Sequence, residues 1–245
     1  MAYKDKNLRN GFGFEEGWVF GTGKYMIRSH LGSGVEGEVY LTEELDTGIE
    51  RAAKFFFPSN TLSVKNSVKN HAQKLYKIRN CSEIIQYHTH EKVTVGGQKI
   101  TCLISEYVEG ELLSGFLERQ PGQRLHYFEA LHLIYAIVCG LQVIHGLGEY
   151  HGDLHDGNIF VKRVGVKYQV KLIDAIDWRD SPRANIKKDI CDLVRVLYDL
   201  VGGQRYYAKM PAQIKEICCG LKTSVINRKF KDAASLKTYL ENAIW

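Results

Sequence analysis

The chain has 245 residues, of which 44% are hydrophobic and 25% are charged, and its formal net charge is +5. These values are typical of a soluble globular protein with one large domain or two small lobes. The positive charge is mild and no basic tract accompanies it, so we expect no nucleic-acid partner.

Neither the polar N-terminal segment nor the most apolar segment of the sequence indicates a membrane protein. Residues 1–17 are polar and charged, unlike a signal peptide. The most apolar stretch, residues 131–147, is interrupted by His132, Gln142 and His145, which is typical of a core helix. The six cysteines form no CxxC, which predicts free thiols in a reducing compartment. We therefore expect no membrane partner, and a cytoplasmic protein or one delivered to a host cytosol.

Short strands are predicted from residue 24 onward. Tyr25–Ile27 leads into LGSGVEGEVYL, the turn LDTG follows, and Pro58 closes the strand RAAKFFF. Residues 62–79 then take a helical period. The apolar residues that fall on one face of this helix are Val64, Val68, Ala72, Leu75 and Ile78.

Two more strands are predicted at residues 91–95 and 99–105, with the turn Gly96-Gly97 between them. The remainder is helical apart from a hairpin at residues 158–174. A β-rich first third thus precedes a helical second part, and the two join near Tyr107–Gly110.

The glycine-rich segment contains Gly32, Gly34 and Gly37 in a GxGxxG spacing. A dinucleotide-binding turn with this spacing should open a helix, whereas here a strand follows, so the loop caps a hairpin. Glycines there would let backbone N–H groups approach phosphates, although a flexible hairpin tip is the alternative. Lys54 lies in the next apolar strand, where it either faces solvent or reaches under the loop to the α/β-phosphates.

The segment YHGDLHDGNIFV supplies a second set of polar groups. Phosphoryl transfer needs a carboxylate for the proton of the nucleophile and oxygen ligands for Mg²⁺. Asp153 is the candidate base, and Asn158 and Asp174 are the candidate metal ligands at the two ends of the predicted hairpin. Asp177 is a secondary metal candidate. A solvated, aspartate-rich loop is the alternative for all of these residues.

Together these motifs resemble the protein-kinase-like superfamily, from about residue 24 to the C-terminus. LGSGVEGEVYL resembles its glycine-rich loop, AAK its N-lobe lysine segment and SEYVEGELL its hinge. HGDLHDGNIFV resembles the catalytic loop, LIDAIDW the metal-binding loop and DICDLVRVLYDL the helix that the family calls αF.

The resemblance implies an α+β, bilobal protein-kinase-like fold, with a β-rich N-lobe that carries one αC helix (the family's label) and a reduced helical C-lobe. The domains implied are an N-terminal extension at residues 1–23, an N-lobe at 24–106, and the hinge and C-lobe at 107–245.

The resemblance also implies a site for ATP and Mg²⁺. Ser105 would be the gatekeeper, the backbones of Glu106 and Val108 would hold adenine, and Glu111 would reach the ribose. The other residues implied around the nucleotide are Gly32, Gly34, Gly37, Val39, Ala52 and Lys54.

Three further roles follow from the resemblance in the helical lobe. Asp153 would be the catalytic base, assisted by His155, which stands where many members have a lysine near the γ-phosphate. Asp189 would tie down the backbone of the catalytic loop.

The sequence departs from the family at the partner of Lys54, which is normally a glutamate of the αC helix. No acidic residue lies between Glu50 and Glu83, and alignment points to Gln73 or His71. The same helix is basic, which would suit an acidic partner protein or a solvated face. Its basic residues are Lys65, Lys69, Lys74, Lys77 and Arg79.

Three functions therefore stand open. The first is a small, atypical serine/threonine protein kinase that phosphorylates a protein substrate. The second is a small-molecule kinase of the aminoglycoside or choline type, which Gly152 and His155 favour. The third is a pseudokinase that binds nucleotide without turnover, which the missing αC glutamate favours. The short segment after Asp189, with room for about three helices, favours a protein substrate.

Overall fold

A computed structural model describes residues 11–58, 62–175 and 181–243, with the backbone alone for residues 62–67. The chain divides into two compact units. The first consists of the described residues up to Tyr76 together with Ile85–Val108, and the second of Lys77–Ile84 together with the described residues from Glu109 onward. The predicted join near Tyr107–Gly110 falls at this division, whereas the short return of residues 77–84 to the second unit was not predicted.

The first unit is a six-stranded antiparallel sheet with one helix. The strand order is β1-β2-β3-β4-β6-β5, so β6 lies between β4 and β5. The elements are β1 (Val19–Phe20), β2 (Tyr25–Ser33), β3 (Gly37–Glu44), β4 (Ile49–Phe56), α1 (Leu62–Lys77), β5 (Tyr87–Val95) and β6 (Gln98–Glu106). The strands and the helix predicted between residues 25 and 105 are confirmed.

One face of this sheet carries an aromatic core. Alternate residues of a strand point to opposite faces, and the core residues that β3, β4 and β6 contribute on this side are buried. They include Tyr40, Ala53, Phe55 and Ile104, of which the most exposed retains 1% of its surface. The residues of β4 that alternate with these point to the opposite face of the sheet and do not belong to the aromatic core.

The segment before β2 completes the aromatic core. Phe12, Phe14 and Phe20 are buried there, and Trp18 stacks on Phe14 with ring centroids 4.1 Å apart. Offset and edge-on ring pairs of this kind add stabilisation beyond the area that they bury. Residues 11–23, which the sequence treats as an extension, thus contribute to the core of the first unit.

The second unit consists of a small three-stranded sheet and seven helices in its described part. The strand order is β7-β8-β9, and β8 and β9 form the predicted hairpin. The strands are β7 (Glu111–Leu112), β8 (Ile159–Val164) and β9 (Lys167–Leu172). The helices are α2 (Leu113–Glu118), α3 (Tyr127–Gly146), α4 (Pro182–Leu200), α5 (Gly203–Tyr207), α6 (Ala212–Cys218), α7 (Thr223–Lys229) and α8 (Ala233–Asn242).

In the described residues four helices follow α4, where the sequence had room for about three after Asp189. They are short, between five and ten residues each. Turns in left-handed backbone conformations at Gly202 and Cys219 end one helix and begin the next. The residues after α4 are therefore divided among shorter helices than the length of the segment suggested.

Helix α3 is the core helix of the second unit. It is the one helix of the described residues that is long and apolar enough to cross a membrane, and half of its apolar window is buried inside the protein. Leu133, Ile137, Leu141 and Ile144 are all 0% exposed. Buried core helices of other proteins meet the same length and composition criteria. The expectation that the protein has no membrane partner therefore stays a prediction.

All six cysteines are free, and Cys81, Cys102 and Cys218 are buried. This confirms the prediction of free thiols. Burial raises the pKa of Cys81 to about 11 and that of Cys218 to about 12. Thiols with such pKa values are protonated and unreactive near neutral pH.

Candidate active site

The glycine loop between β2 and β3 is closed by backbone hydrogen bonds. Gly34 N donates to Gly37 O at 2.8 Å, and Phe57 N donates to Glu36 O at 2.9 Å. A Cβ atom at Gly37 would lie 2.0 Å from the backbone oxygen of Phe55, whereas one at Gly34 would meet nothing within 4 Å. Glycine at position 37 is thus required for strand packing.

Gly32 likewise has open space where its Cβ would be. Packing therefore does not explain glycine at positions 32 and 34. Glycines there leave room for a ligand to approach the backbone, as phosphate-binding loops require.

The predicted nucleotide-contacting residues of the sheet share one face. Val39 pairs with Lys54 across β3 and β4, and Ala52 pairs with Ser105 across β4 and β6. Directly paired residues, and residues two apart in one strand, lie on the same face of a sheet. This face is the one opposite the aromatic core.

Lys54 has a carboxylate beside it that the sequence did not predict. Its Nζ lies 3.3 Å from Oε2 of Glu36, a residue of the glycine loop, and 5.4 Å from the ring centroid of Phe56. The Lys54 side chain is 15% exposed and that of Glu36 is 50% exposed. Glu36 precedes Lys54 in the sequence, whereas the usual acidic partner is expected in the helix that follows β4. The sequence pattern of that helix therefore gives no indication of Glu36.

The residues aligned with the usual glutamate lie on α1. Gln73 is exposed and His71 is half-buried. The basic residues of this helix do not form a uniform surface, since Lys74 is buried and Lys77 pairs with Glu149. The side chain of Lys65 lies outside the described residues. An acidic partner for the helix stays a prediction.

The hinge residues have defined backbone partners. Glu106 N donates to Gln86 O at 2.9 Å, and the Glu106 carboxylate accepts a hydrogen bond from Gln86 N at 2.8 Å. Val108, at the end of the first unit, is half-buried. Glu111, in β7 of the second unit, forms an ion pair with Arg119. A role of Glu111 at a ribose would have to compete with this pair.

In the second unit, the loop before β8 brings Asp153 and Asn158 together. The Asn158 side-chain nitrogen donates to the Asp153 carbonyl oxygen at 2.9 Å and to its carboxylate Oδ2 at 3.2 Å. Asn158 is 7% exposed, while the Asp153 side chain is 39% exposed. The asparagine is thus fixed, and the carboxylate it orients remains accessible to a substrate.

His155 lies beside Asp153. Its Nδ1 accepts a hydrogen bond from Gly157 N at 3.1 Å, so Nε2 carries the proton of the neutral ring. This Nε2 is 3.7 Å from the Asp153 carboxylate, and the ring is 53% exposed. The structure therefore brings together the three candidate site residues of the predicted loop, Asp153, His155 and Asn158.

The backbone of this loop is held by Asp189 of α4, as predicted. The Asp189 carboxylate accepts hydrogen bonds from His151 N at 2.7 Å and from Gly152 N at 2.8 Å. Gly152 has a φ of +91°, which residues with side chains rarely adopt. This backbone conformation favours a glycine at position 152.

A histidine completes the buried network around Asp189. His145 Nδ1 accepts from Ala233 N at 3.1 Å, so its Nε2–H donates to Asp189 Oδ2 at 3.1 Å. Burial by itself raises the pKa of Asp189, but the hydrogen bonds from His145 and Gly152 and the field of His151 together lower it below its usual value. The carboxylate is therefore ionised, and it links α3, α4, α8 and the catalytic loop.

Asp174, the second predicted metal ligand, follows β9 directly. Ile173 N donates to Asn158 O at 3.0 Å, so the chain passes Asn158 one residue before Asp174. Asp174 has a φ of +54°, and such backbone outliers concentrate at functional sites. Asp177 lies outside the described residues.

The donors present fit a hard divalent cation. A carboxylate oxygen and an amide oxygen are ligands that Mg²⁺ accepts, with phosphate oxygens and water completing its shell. The hydrogen bonds of the Asn158 nitrogen to Asp153 fix which side of the amide faces the base. The oxygen on the other side is the atom that a cation would take.

A cavity of about 250 Å³ opens beside Asp153 in the second unit. Apolar side chains line part of it, and Lys188 and Asp192 line it as well. Lys188 pairs with Asp192 at 2.6 Å and donates to Gly152 O at 3.2 Å. Burial raises the pKa of Asp192. The candidate base thus faces a cleft large enough for a side chain of another molecule.

The family model that describes the protein kinase domain matches residues 25–208. The chain belongs to the protein kinase domain family. Members of this family ordinarily use ATP and a divalent metal ion. The resemblance of the sequence motifs and the predicted α+β kinase-like fold are confirmed.

Several protein kinases are similar to this chain in sequence. The chain is 28% identical over 154 residues to the serine/threonine-protein kinase pkn2 of Myxococcus xanthus, covering 62% of this chain and 18% of that protein. It is 28% identical to PknA of Corynebacterium glutamicum (61% and 31% covered) and 29% identical to calcium-dependent protein kinase 7 of Oryza sativa (61% and 27% covered). The chain thus spans between about a fifth and a third of the length of these relatives.

A solved crystal structure of a kinase domain superposes with a TM-score of 0.60 at 20% identity. The match covers 76% of this chain and 67% of that one. At this identity the likeness supports the fold alone.

Proposed function

We propose that this protein is an ATP-dependent serine/threonine protein kinase that transfers the γ-phosphate of Mg-ATP to a hydroxyl of a protein substrate. The observation that carries this proposal is the geometry of the catalytic loop. Asn158 orients an accessible Asp153 carboxylate, and the buried Asp189 holds the backbone around it. A solvated loop would need neither the buried asparagine nor the buried carboxylate.

In this proposal Asp153 accepts the proton of the acceptor hydroxyl as the new bond forms. The hydrogen bond from Gly157 N to Nδ1 of His155 leaves a ring proton on Nε2, 3.7 Å from the Asp153 carboxylate. This N–H can orient the base and stabilise the charge on the transferred group. Because the ring is half exposed, a phosphate that enters the site from solvent could reach it.

Asn158 and Asp174 would hold Mg²⁺, which neutralises charge on the β- and γ-phosphates when it is bound. In the first unit, Gly32, Gly34 and Lys54 would contact the phosphates. Val39 and Ala52, on the same face as Lys54, would pack on the adenine. Because Glu106 N is bonded to Gln86, adenine would use the Glu106 carbonyl oxygen and the backbone of Val108.

The protein acceptor is supported by the cleft beside Asp153 and by the named serine/threonine kinases among the relatives. A side chain that carries a hydroxyl could enter the cleft from a flexible peptide segment. We also propose that the protein works in a cytosol, its own or that of a host, where Mg-ATP is abundant and thiols stay reduced.

The proposal is tested by incubating the protein with γ-labelled ATP, Mg²⁺ and a cell extract. Asp153→Ala should reduce the label on protein by about 10²- to 10⁴-fold, the usual contribution of a general base. Its affinity for ATP should change by less than about threefold, because the base acts in the transition state.

Asp46→Ala serves as the matched control, since Asp46 is an exposed aspartate of a turn in the first unit. It should retain wild-type labelling. Label that appears only in the small-molecule fraction would instead assign a small-molecule kinase. Nucleotide binding with no transfer at all would assign a pseudokinase.

A further inference from the structure

The pair between Lys54 and Glu36 lies where the proposed function needs a phosphate. Lys54 Nζ and Glu36 Oε2 are 3.3 Å apart, and both residues belong to the first unit. Glu36 is the residue of the glycine loop immediately before Gly37. The carboxylate therefore reaches the lysine from the side of the loop that is expected to cover the phosphates.

The backbone of Glu36 is fixed while its side chain is not. Its carbonyl oxygen accepts from Phe57 N at 2.9 Å, which anchors the residue to the end of β4. Its side chain is 50% exposed, in contrast to 15% for Lys54. A carboxylate with this much exposure can turn into solvent without moving the strands.

We infer that Glu36 is a displaceable counter-ion, which holds the ammonium of Lys54 in the ligand-free protein and releases it to the phosphates of the nucleotide. This inference rests on the proposed function and deepens it. No acidic residue is present between Glu50 and Glu83, so the helix that follows β4 cannot supply such a charge. Glu36 supplies it from the opposite direction along the chain.

The displacement has a direction that electrostatics determines. A carboxylate and a polyphosphate repel each other, and Lys54 attracts both. Binding of phosphates must therefore separate Glu36 from Lys54, and the pair competes with the ligand. An acid on the αC helix would act differently, since it would orient the lysine without lying under the loop. Removing the charge of Glu36 should strengthen nucleotide binding.

The test measures dissociation constants for ATP with Mg²⁺ and for adenosine, by calorimetry at low ionic strength. Glu36→Gln should bind ATP about three- to fivefold more tightly than the wild type, the range expected for an ion pair whose carboxylate is half exposed to solvent. Adenosine has no phosphates, so its dissociation constant should be unchanged. The gain for ATP should shrink as salt is raised, because salt screens exposed pairs.

Steady-state kinetics give a second readout that a purely structural role would not produce. The KM for ATP should fall in Glu36→Gln, while kcat should stay within about twofold of the wild-type value. Glu36→Asp keeps the charge and should behave as the wild type.

Glu43→Gln is the matched control on the same sheet. Glu43 forms an ion pair with Arg28 at 2.5 Å, away from the glycine loop. Its loss removes the same charge from the unit, so an equal gain in ATP affinity in this variant would assign the effect to net charge and overturn the inference.

A double-mutant cycle with Lys54→Met isolates the competition itself. If Glu36 acts by holding Lys54, the effect of Glu36→Gln on ATP affinity should be smaller in the Lys54→Met background. An unchanged or weaker affinity for ATP in Glu36→Gln, with binding intact in the wild type, would overturn this inference and leave the proposed function standing. Failure of the wild type to bind ATP would overturn both.

Discussion

The glycine loop with Lys54 and the catalytic loop with Asp189 differ in how far water reaches the charges that hold them. The partner of Lys54, Glu36, is half exposed, whereas Asp189 and His145 are 0% and 3% exposed. Exposed pairs contribute little stability and are screened by salt, while a buried carboxylate needs every hydrogen bond that surrounds it. The first region can therefore change partners, and the second cannot without local unfolding.

This difference matches what each region has to do in the proposed reaction. The phosphates arrive and leave in every turnover, so the lysine that receives them must exchange one anion for another. The base and its asparagine must present the same geometry each time. A replaceable ion pair suits the first task, and a buried network suits the second.

The largest expected effect is that of Asp189→Asn on stability. Asparagine replaces one of the two acceptor oxygens with an NH2 group, which only donates, whereas the carboxylate accepts from His151, Gly152 and His145; at least one buried donor therefore loses its partner. We expect a loss of about 3 kcal/mol in the free energy of unfolding, measured with urea at pH 7. The backbone amides of His151 and Gly152 should exchange hydrogen with solvent faster in this variant. The rate of phosphoryl transfer should also fall.

The pH dependence of this loss follows from the direction of the pKa shift. Because the pKa of Asp189 is lower in the folded protein, its contribution to stability is complete above the pKa of the unfolded chain, about 3.9, and is lost as the pH falls through the folded value. The difference in the free energy of unfolding between Asp189→Asn and the wild type should thus be constant from pH 7 to about 5. It should become smaller only in stronger acid.

Asp192→Asn, three residues along α4, is the contrasting control. Burial raises the pKa of Asp192, so folding disfavours its charge, and the neutral amide should cost less than about 1 kcal/mol. If Asp189→Asn cost no more than Asp192→Asn, the catalytic loop would not depend on the buried network.

The second expected effect concerns two glycines of one loop. A Cβ atom at Gly37 would lie 2.0 Å from Phe55 O, so Gly37→Ala must push β3 away from β4 and should cost about 1–3 kcal/mol. Gly34→Ala has open space and should change the free energy of unfolding by less than about 0.5 kcal/mol.

The affinity for ATP sharpens this contrast. Gly34→Ala should weaken ATP binding by more than its small effect on stability explains, because a methyl group would stand where the phosphates approach the backbone. An affinity equal to that of the wild type would mean that the open side of the loop is not a phosphate site.

Regions with local signals could be predicted from the sequence. The hairpin of β8 and β9, the strands around Gly96-Gly97 and the helix over residues 62–77 follow from alternation, turn residues and helical periodicity. The group of Asp153, His155 and Asn158 follows from their proximity in the chain. Asp189 was placed only by resemblance to the family, because it lies 36 positions after Asp153 in the chain.

The features that sequence reasoning missed are contacts between distant or reversed positions. Glu36 precedes Lys54 in the chain. His145 of α3 forms hydrogen bonds with Asp189 of α4 and with the backbone of Ala233 in α8. A signal did exist for the packing of residues 11–23. Phe12, Phe14, Trp18 and Phe20 all occupy even-numbered positions, a period of two that indicates an extended segment with one buried face.

The smallest expected effect is that of Lys54→Met on stability. Methionine keeps an unbranched apolar side chain against Phe56 and removes the ion pair with the half-exposed Glu36. We expect the free energy of unfolding to change by less than about 1 kcal/mol, and by less still at high salt, although ATP affinity and transfer should fall strongly. A loss of stability equal to that of Asp189→Asn would show that Lys54 belongs to a rigid network after all, and that the two regions are held in the same way.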